Sequence, residues 1–451
     1  MPAIAGMEVY MKKVLIIAYY FPPLGWSGVQ RTLKFVKYLI NFGWKPIIVT
    51  VGKTKFSVLD ETLVKDIPKG IDIIKIDDIK FKDITDDIKK ELKSYVKSSF
   101  DIISNDDLKR EYENEIEKKF SELRDLLLFP DGNSIWANNV IKEISNKINL
   151  NEIDVIYSTS APYSAHLIGN YIKDEYNIPW VADFRDEWNN NPYGISQKVN
   201  PIRKKIELSM EKEILHKCNR IVTISTITKD NYIKNFNLDE KKIEIITNGY
   251  DESDFEDVYN KKINEKFTII HNGSFYSFIN PYSFIKAINN LIEEKLISIS
   301  EIEVYFVGKI ENEIINKIKK LDINNLVTLV EYMPHIDSLK FANTADLLLL
   351  IIGKGEQLKS VYTGKIFEYL RLKKTILSLS PKNSLVEKLL IETKTGKNVE
   401  YDDIEEMKKI IFMTFEEWKK NKHLSINPEN IKKYSRENLT KRLAEIFNEI
   451  I

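Results

Sequence analysis

Runs of consecutive apolar residues, each closed by a glycine- or proline-containing loop and followed by a helical pattern, constrain this chain more than any other feature. The first, "KKVLIIAYY" from Lys12, has no polar alternation. Such a run suits a strand buried on both faces. "FPPLGWSG" breaks it with Pro22, Pro23, Gly25 and Gly28. In "VQRTLKFVKYLINFG" one helical face carries Val29, Leu33, Val36 and Leu39/Ile40, and Gly43 ends it. "WKPIIVTV" is the next strand. A strand, a crossover helix and a parallel strand make a right-handed βαβ unit, so an open α/β sheet is expected.

The rhythm returns in "IDVIYSTS", "APYSAHLIGNYIKDEYN", "IPWVADFRDEW", "NRIVTIST" and "KIEIITNGYD". A second series opens at "EKFTIIHNGSFY" and runs through "IEVYFVGKI", "NLVTLVEYMPH", "ADLLLLIIGKG" and "KTILSLSP". The join falls near 247–255, at the Asn248-Gly249 turn signal. Two or three domains suit 451 residues, and 43% apolar residues suffice for their cores. Between about 80 and 128 the chain turns charged, helical and poor in glycine, which reads as solvated amphipathic helices inserted in the first domain. The other reading is an acceptor-docking or membrane-surface element, although its mixed charge argues against strong attraction to anionic lipid.

Charge and cysteine content exclude several functions. Sixty-seven basic side chains balance 67 acidic ones, unlike the basic excess of a nucleic-acid binder. A single cysteine, Cys218, rules out an intrachain disulfide framework and a multi-Cys zinc site. No apolar run exceeds the length of a strand, neither Val14 to Phe21 nor Leu347 to Ile352, whereas a spanning helix needs about 20 residues. "VLIIAYYFPP" lacks the cleavage pattern of a leader and reads as a buried strand. No P-loop, Ser-His-Asp spacing or Asp-x-Asp triplet occurs.

In open α/β sheets ligands bind beyond the carboxyl ends of the strands, so the loops after them carry the candidates. In "YTGKIFEYLRLKKTILSLS", Thr363 and Gly364 precede a helix whose free N–H groups and dipole favour an anion. Lys365 adds a charge in the first turn, and Glu368 lies three residues on, on the same face. Together they suit a nucleotide: N–H groups and Lys365 for a diphosphate, Glu368 for ribose hydroxyls. A plain surface helix with a solvated Lys–Glu pair fits the same residues. "PPLGWSGVQR" offers Gly25 and Gly28 for close backbone approach, with Arg31 in the first turn after them; simple turn chemistry fits equally. "ADFRDEW" sets Asp183, Arg185 and Asp186 at another strand end, where an arginine beside two carboxylates could orient a sugar or steady a leaving phosphate. His166 reads as a packed or capping histidine; His271 and His335 stand near strand-end loops.

These segments, with "VEYMPH", "PWVADFRDEW" and "TGKIFEYLRLKKTIL" among them, recur in this order in bacterial glycosyltransferases. From Met11 to about Ser435 the chain resembles the GT-B-fold, retaining family 4 glycosyltransferases of the surface-polysaccharide branch. The resemblance implies an α/β fold of two Rossmann-like domains facing across a cleft. The acceptor-side domain would span 11–248 and the donor domain 249–430, with a C-terminal helix, 431–451, returning to the first. In that family two glutamates eight positions apart mark the donor site. Glu368 matches the second, the ribose ligand, whereas the first falls on Ser360. The family's basic pair after the first donor-domain strand is also missing. Gly273 and Ser274 backbone groups, with Lys365, would therefore carry the phosphates. Met333, in "VEYMPH", matches the loop against the base.

The expected activity is hexosyl transfer, with retention, from a nucleotide-diphosphate sugar to a glycan or lipid-linked acceptor. No cofactor or metal is called for, because helix N-termini and Lys365 can meet the charge on the leaving group. The catalytic candidates are Arg185, Asp186 and Lys365. A cytoplasmic protein with peripheral contact at the inner face of the plasma membrane is expected. Two other readings are a nucleotide-sugar epimerase and a non-catalytic nucleotide-sugar-binding scaffold of the same fold.

Overall fold

The apolar runs form parallel strands in two sheets. The structure, a computed structural model, describes residues 11–25, 27–54, 59–79, 81–100, 106–191, 200–258, 264–275, 279–421, 424 and 426–451. Chain contacts divide it into two units. The first comprises Met1–Thr223, Lys229–Ile245 and Lys441–Ile451; the second comprises Ile224–Thr228 and Ile246–Thr440.

The first unit holds β1 (Lys12–Ile17), β2 (Trp44–Val51), β3 (Asp72–Ile76), β4 (Val155–Ser160), β5 (Trp180–Phe184), β6 (Arg220–Thr223) and β7 (Ile243–Ile245), in the order β3-β2-β1-β4-β5-β6-β7. The order reverses between β1 and β4, the place where such sheets open for a ligand. Register aligns the strand ends there: Ile17 pairs with Val49 and Ser158, and Ser160 with Phe184. Val14 to Ala18 and all of β4 and β5 are buried, as central strands covered on both faces require. Phe447, near the chain's end, packs edge-on against Trp44 at 5.1 Å and Tyr157 at 6.0 Å. The charged segment between β3 and β4 is helical over Phe81–Phe100 and Asp106–Leu127, and Glu117 bridges Lys89 and Lys93.

The second unit holds β8 (Phe267–Asn272), β9 (Ile302–Val307), β10 (Val327–Val330), β11 (Leu347–Ile351), β12 (Thr375–Leu379) and β13 (Gly396–Val399), ordered β10-β9-β8-β11-β12-β13. Its reversal lies between β8 and β11. "LLLLI" shows why an unbroken apolar run is needed here. Leu347, Leu349 and Ile351 join the core on one face, with Phe267 and Phe306. Leu348 and Leu350 join the core on the other, with Leu339, Ile366, Phe367, Tyr369 and Leu370. That second core fixes two helix starts, at His335 and Gly364, on the same side of the sheet. Among the described residues no helix is long and apolar enough to cross a membrane.

Candidate functional site

In the second unit the candidates gather where β8 and the helix Gly364–Leu372 meet. Tyr369, on that helix, accepts a hydrogen bond through its hydroxyl oxygen from the Asn272 N–H at the end of β8 (2.9 Å). Lys365 reaches across to the residue after Asn272. A Cβ on Gly273 would stand 2.8 Å from both Cε and Nζ of Lys365, so only glycine leaves room for this approach. Among the described residues no hydrogen-bond or ion-pair partner holds Nζ. Burial lowers the pKa of Lys365, with Glu368 opposing that shift.

The start of this helix is open to a ligand as well. Thr363 occupies the N-cap position, yet its side chain makes no capping bond, and its Oγ1 is buried without a partner. Of the first-turn amides, Ile366 N–H donates to Thr363 O at 3.4 Å, whereas those of Gly364 and Lys365 find no acceptor among the described residues. Gly273 contributes differently from expectation. Its N–H donates to Val307 O at 2.7 Å and is not available to a phosphate. The exposed Ser274 keeps an N–H that is unbonded among the described residues.

Two histidines complete the cluster. His271 Nδ1 lies 3.0 Å from Leu349 O. A carbonyl only accepts, so Nδ1 carries the hydrogen and Nε2 presents a buried lone pair with no partner. That nitrogen would lie 3.1 Å from a Gly273 Cβ, on the side where Lys365 sits. Glu368 is held by His335 Nε2 at 2.8 Å. Burial pushes the Glu368 carboxyl up, but His335, then Lys365 and Arg436, hold it below the usual range. Met333 is half-buried against the same apolar cluster. Ser360, at the family's first glutamate position, spends its hydroxyl on Gln357 O at 3.3 Å.

In the first unit, Arg185 is a brace. Its guanidinium donates to Gly28 O (2.7 Å), Ala161 O (3.1 Å) and Ser160 O, joining the first turn of the helix Ser27–Leu39 and the end of β4 to the end of β5. A Cβ on Gly28 would meet Nη1 at 2.6 Å, so this glycine admits the arginine. Gly25 lies buried in the segment before that helix. Asp186 is half-buried, and among the described residues nothing donates to its carboxylate. Burial raises its pKa against the pull of Arg185. Asp183 and Arg31 are taken up by each other. Arg31 Nε and Nη2 donate to the two oxygens of Asp183 at 3.0 and 2.9 Å, and Tyr157 and Thr159 hydroxyls donate to it as well. Burial pushes the Asp183 carboxyl up, but Arg31 more than reverses this and holds it below the usual range. Arg31 is therefore not the free cation its place after the glycine loop suggested.

Sequence reasoning missed the carboxylate that shapes the loop after β5. Glu211, buried on the helix Pro201–Lys217, accepts from Trp188 N (3.1 Å), Asn189 N (3.3 Å), Asn189 Nδ2 (2.8 Å) and Tyr232 OH (3.3 Å). Its signal was faint, since the helix carries Glu207, Glu211 and Glu213, and only Ile214 and Leu215, at helical spacing from Glu211, hint at an inward face. His166 packs as expected: Ser158 Oγ accepts from Trp180 Nε1 and shares a hydrogen bond with His166 Nδ1, each at 2.8 Å.

His166 and His271 make stability depend on pH. Burial drives both down to about 3, from 6.5 when free. Between those values the unfolded chain binds protons that the folded chain refuses, so stability present above pH 6.5 is lost as pH falls toward 3. Each histidine is expected to forfeit about 2 kcal/mol by pH 5, from about 1.4 kcal/mol per pH unit. Urea unfolding at pH 7 and pH 5 reads this, one histidine in each unit. An unchanged midpoint at pH 5 would show that the rings are protonated at no cost.

Residues 99–254 match the family described as Glycosyltransferase Family 4. No functionally curated protein matches the chain in sequence. Among solved structures, a glycosyltransferase from Rickettsia africae is similar over 98% of both chains, at 17% identity and a TM-score of 0.62. WaaG, a glycosyltransferase involved in lipopolysaccharide biosynthesis, is similar over 96% of this chain and 99% of its own, at 11% identity and 0.58. HepE from Anabaena, solved in complex with UDP and glucose, is similar over 97% and 99%, at 13% and 0.56. The chain has the GT-B fold of these enzymes, two Rossmann-like domains. A UDP-GlcNAc 2-epimerase from Methanocaldococcus jannaschii is similar over 97% of this chain and 100% of its own, at 12% identity and 0.51, so the chemistry has to be read from the residues.

Proposed function

We propose that this protein transfers a glycosyl group, a hexose-type sugar, from a nucleotide-diphosphate sugar to a hydroxyl of a glycan or lipid-linked acceptor, with retention. The observation that carries the reading is the Lys365 ammonium, without a partner among the described residues and drawn over Gly273 beside a helix start that the Thr363 side chain does not cap, with Glu368 one turn further on. Nitrogen donors converge there on a diphosphate, and a carboxylate stands where a ribose would follow. The family match over 99–254 and the UDP and glucose held by the Anabaena relative support the same ligand class.

In the proposed reaction the bond from the anomeric carbon to the β-phosphate oxygen breaks. The acceptor oxygen bonds to that carbon on the same face, and the acceptor's proton passes to the leaving phosphate. Lys365, the Ser274 N–H and the open helix turn meet the charge that develops on the diphosphate, a task that requires no metal. Asp186, with its unclaimed carboxylate, takes a hydrogen bond from an acceptor hydroxyl, and Arg185 fixes the loop that carries it. Use in surface-polysaccharide synthesis at the inner membrane face belongs to the same proposal.

A thermal-shift screen of nucleotide-diphosphate sugars, followed by NMR of the product's anomeric configuration, tests it. One donor is expected to raise the melting temperature, since ligand binding to the folded state stabilises it. Acceptor presented in liposomes reads membrane contact in the same assay. A panel without a single stabilising donor removes the proposal, and epimerised donor in the absence of acceptor replaces it with the epimerase.

A further inference from the structure

His271 is buried, 3% exposed, and the proposed reaction gives it no task. Its ring is fixed on three sides. Phe275 stacks on it at 4.4 Å, Phe306 meets it edge-on at 6.4 Å, and Nδ1 donates to Leu349 O on the neighbouring strand β11 at 3.0 Å. That last bond settles the tautomer, so Nε2 keeps its lone pair and can only accept. Among the described residues nothing donates to it. Buried acceptors in folded proteins nearly always have a donor, so this orphan calls for an explanation.

The explanation lies on the open side of Gly273. The atoms nearest to a Cβ placed there would be Lys365 Cε and Nζ, each at 2.8 Å, and His271 Nε2 at 3.1 Å. A donor without an acceptor thus stands beside an acceptor without a donor, over one glycine. The backbone beneath them is pinned. Asn272 N–H donates to the hydroxyl oxygen of Tyr369, on the helix that carries Lys365, and Gly273 N–H donates to Val307 O. Gly308, at φ +135°, leaves room for this segment, since a Cβ on it would stand 2.9 Å from the Gly273 carbonyl. Burial, and then the charge of Lys365, keep the His271 ring neutral, as an acceptor must be. An ammonium on a flexible stem loses freedom when it meets a ligand, and an acceptor already in place lowers that cost.

We infer that His271 is a positioning residue: as a diphosphate binds, Nε2 accepts one of the three hydrogens of the Lys365 ammonium and leaves the other two for phosphate oxygens. The inference rests on the diphosphate reading of Lys365 and adds the group that aims it.

Calorimetry with the nucleoside diphosphate selected by the donor screen, and with its parent nucleoside, tests it. Asparagine and glutamine separate the two nitrogens of the ring. His271→Asn keeps an N–H near the place of Nδ1 for Leu349 O and has nothing at Nε2. His271→Gln carries its carboxamide oxygen to the place of Nε2 and gives up the Nδ1 bond. His271→Asn is expected to weaken the diphosphate about tenfold, the loss of one hydrogen bond to a charged group, and to leave the nucleoside unchanged. His271→Gln is expected to recover most of that affinity. His271→Phe, which fills the ring's place with neither nitrogen, should lose as much as His271→Asn. In a Lys365→Met background none of the three should lose anything further. A ring that merely supports its strand gives the reverse order, with glutamine the weaker, or the same loss in both backgrounds; either result overturns the inference. So does a loss seen with the nucleotide sugar and absent with the diphosphate, which would set Nε2 against the sugar. If Lys365→Met binds the diphosphate like the unaltered protein, the underlying reading fails. If Lys365→Met binds weakly while His271→Asn and His271→Phe bind like the unaltered protein, only the inference fails.

Discussion

Replacing Lys365 by methionine is expected to weaken nucleoside-diphosphate binding about 100-fold and to leave binding of the matching nucleoside unchanged. Methionine keeps an unbranched stem of similar length and removes the charge. A hydrogen bond to a charged group contributes about 1.5–3 kcal/mol, or roughly ten- to 150-fold, and one ammonium can serve two phosphate oxygens. No basic side chain is given by the "HNGSFY" loop after β8, so little compensates. The same charge sets a pH dependence. Burial lowers the Lys365 pKa while Glu368 opposes it, so the ammonium is lost at lower pH than a free lysine would lose it. Diphosphate affinity in the unaltered protein should therefore decline as pH rises through that value, and this decline should vanish in Lys365→Met. Gly273→Ala should act in the same direction, because its Cβ falls 2.8 Å from Nζ and pushes the ammonium aside. Calorimetry across pH checks all of this; diphosphate affinity unchanged in a correctly folded Lys365→Met defeats the anion-site assignment.

Strands covered on both faces were plain in the sequence because burial demands unbroken apolar runs. β11 is one, and β1, β2, β8 and β12 come close to it, with buried polar residues such as Thr50, Thr268, His271 and Ser378 among their apolar ones. The two strands that escaped notice are β3, "DIIKI", and β13, "GKNV", each at the edge of its sheet. An edge strand has one neighbour and partial solvent cover, so the pressure for an apolar run is gone and only backbone pairing marks it. The helical insert was visible for the opposite reason. A long, charged, glycine-poor stretch has few other ways to satisfy its backbone.

Function was half legible. Helical spacing alone put Lys365 and Glu368 on one face, and the position of the loops after the strands told where ligands bind. Partners distant in the chain were not legible. Arg31 and Asp183 are 152 positions apart, Gly28 and Arg185 are 157, and His335 and Glu368 are 33. Periodicity says which face a side chain takes, not what waits opposite. Thus the sequence placed Arg31 in the first turn after the glycine loop but did not show that it meets a buried carboxylate. Gly273 looked like an amide donor, although its amide is spent on β9 and its missing side chain is what matters.

Asp183 is where the largest loss of stability is expected. Asp183→Ala removes the acceptor of Arg31 Nε and Nη2, of Tyr157 OH and of Thr159 Oγ1 in one step. Arg31 and Asp183 are both buried, 1% and 0% exposed, so the guanidinium is left charged in an apolar interior that it cannot leave. Breaking such a pair costs about 3–5 kcal/mol, against about 0–1 kcal/mol for a surface bridge. That is a large fraction of the stability of a typical domain. Asp183→Asn keeps the shape and one acceptor oxygen and should lie between the two proteins. The loss need not measure the worth of the pair, because an apolar replacement removes the stranded charge too. Arg31→Met together with Asp183→Leu should recover more than half of the deficit, with the two hydroxyls that still seek a partner accounting for the remainder. Urea unfolding of the single and double variants, read as a cycle, separates these terms. A coupling near zero would mean that water reaches Arg31 and that the network does not brace the strand from which Arg185 and Asp186 extend.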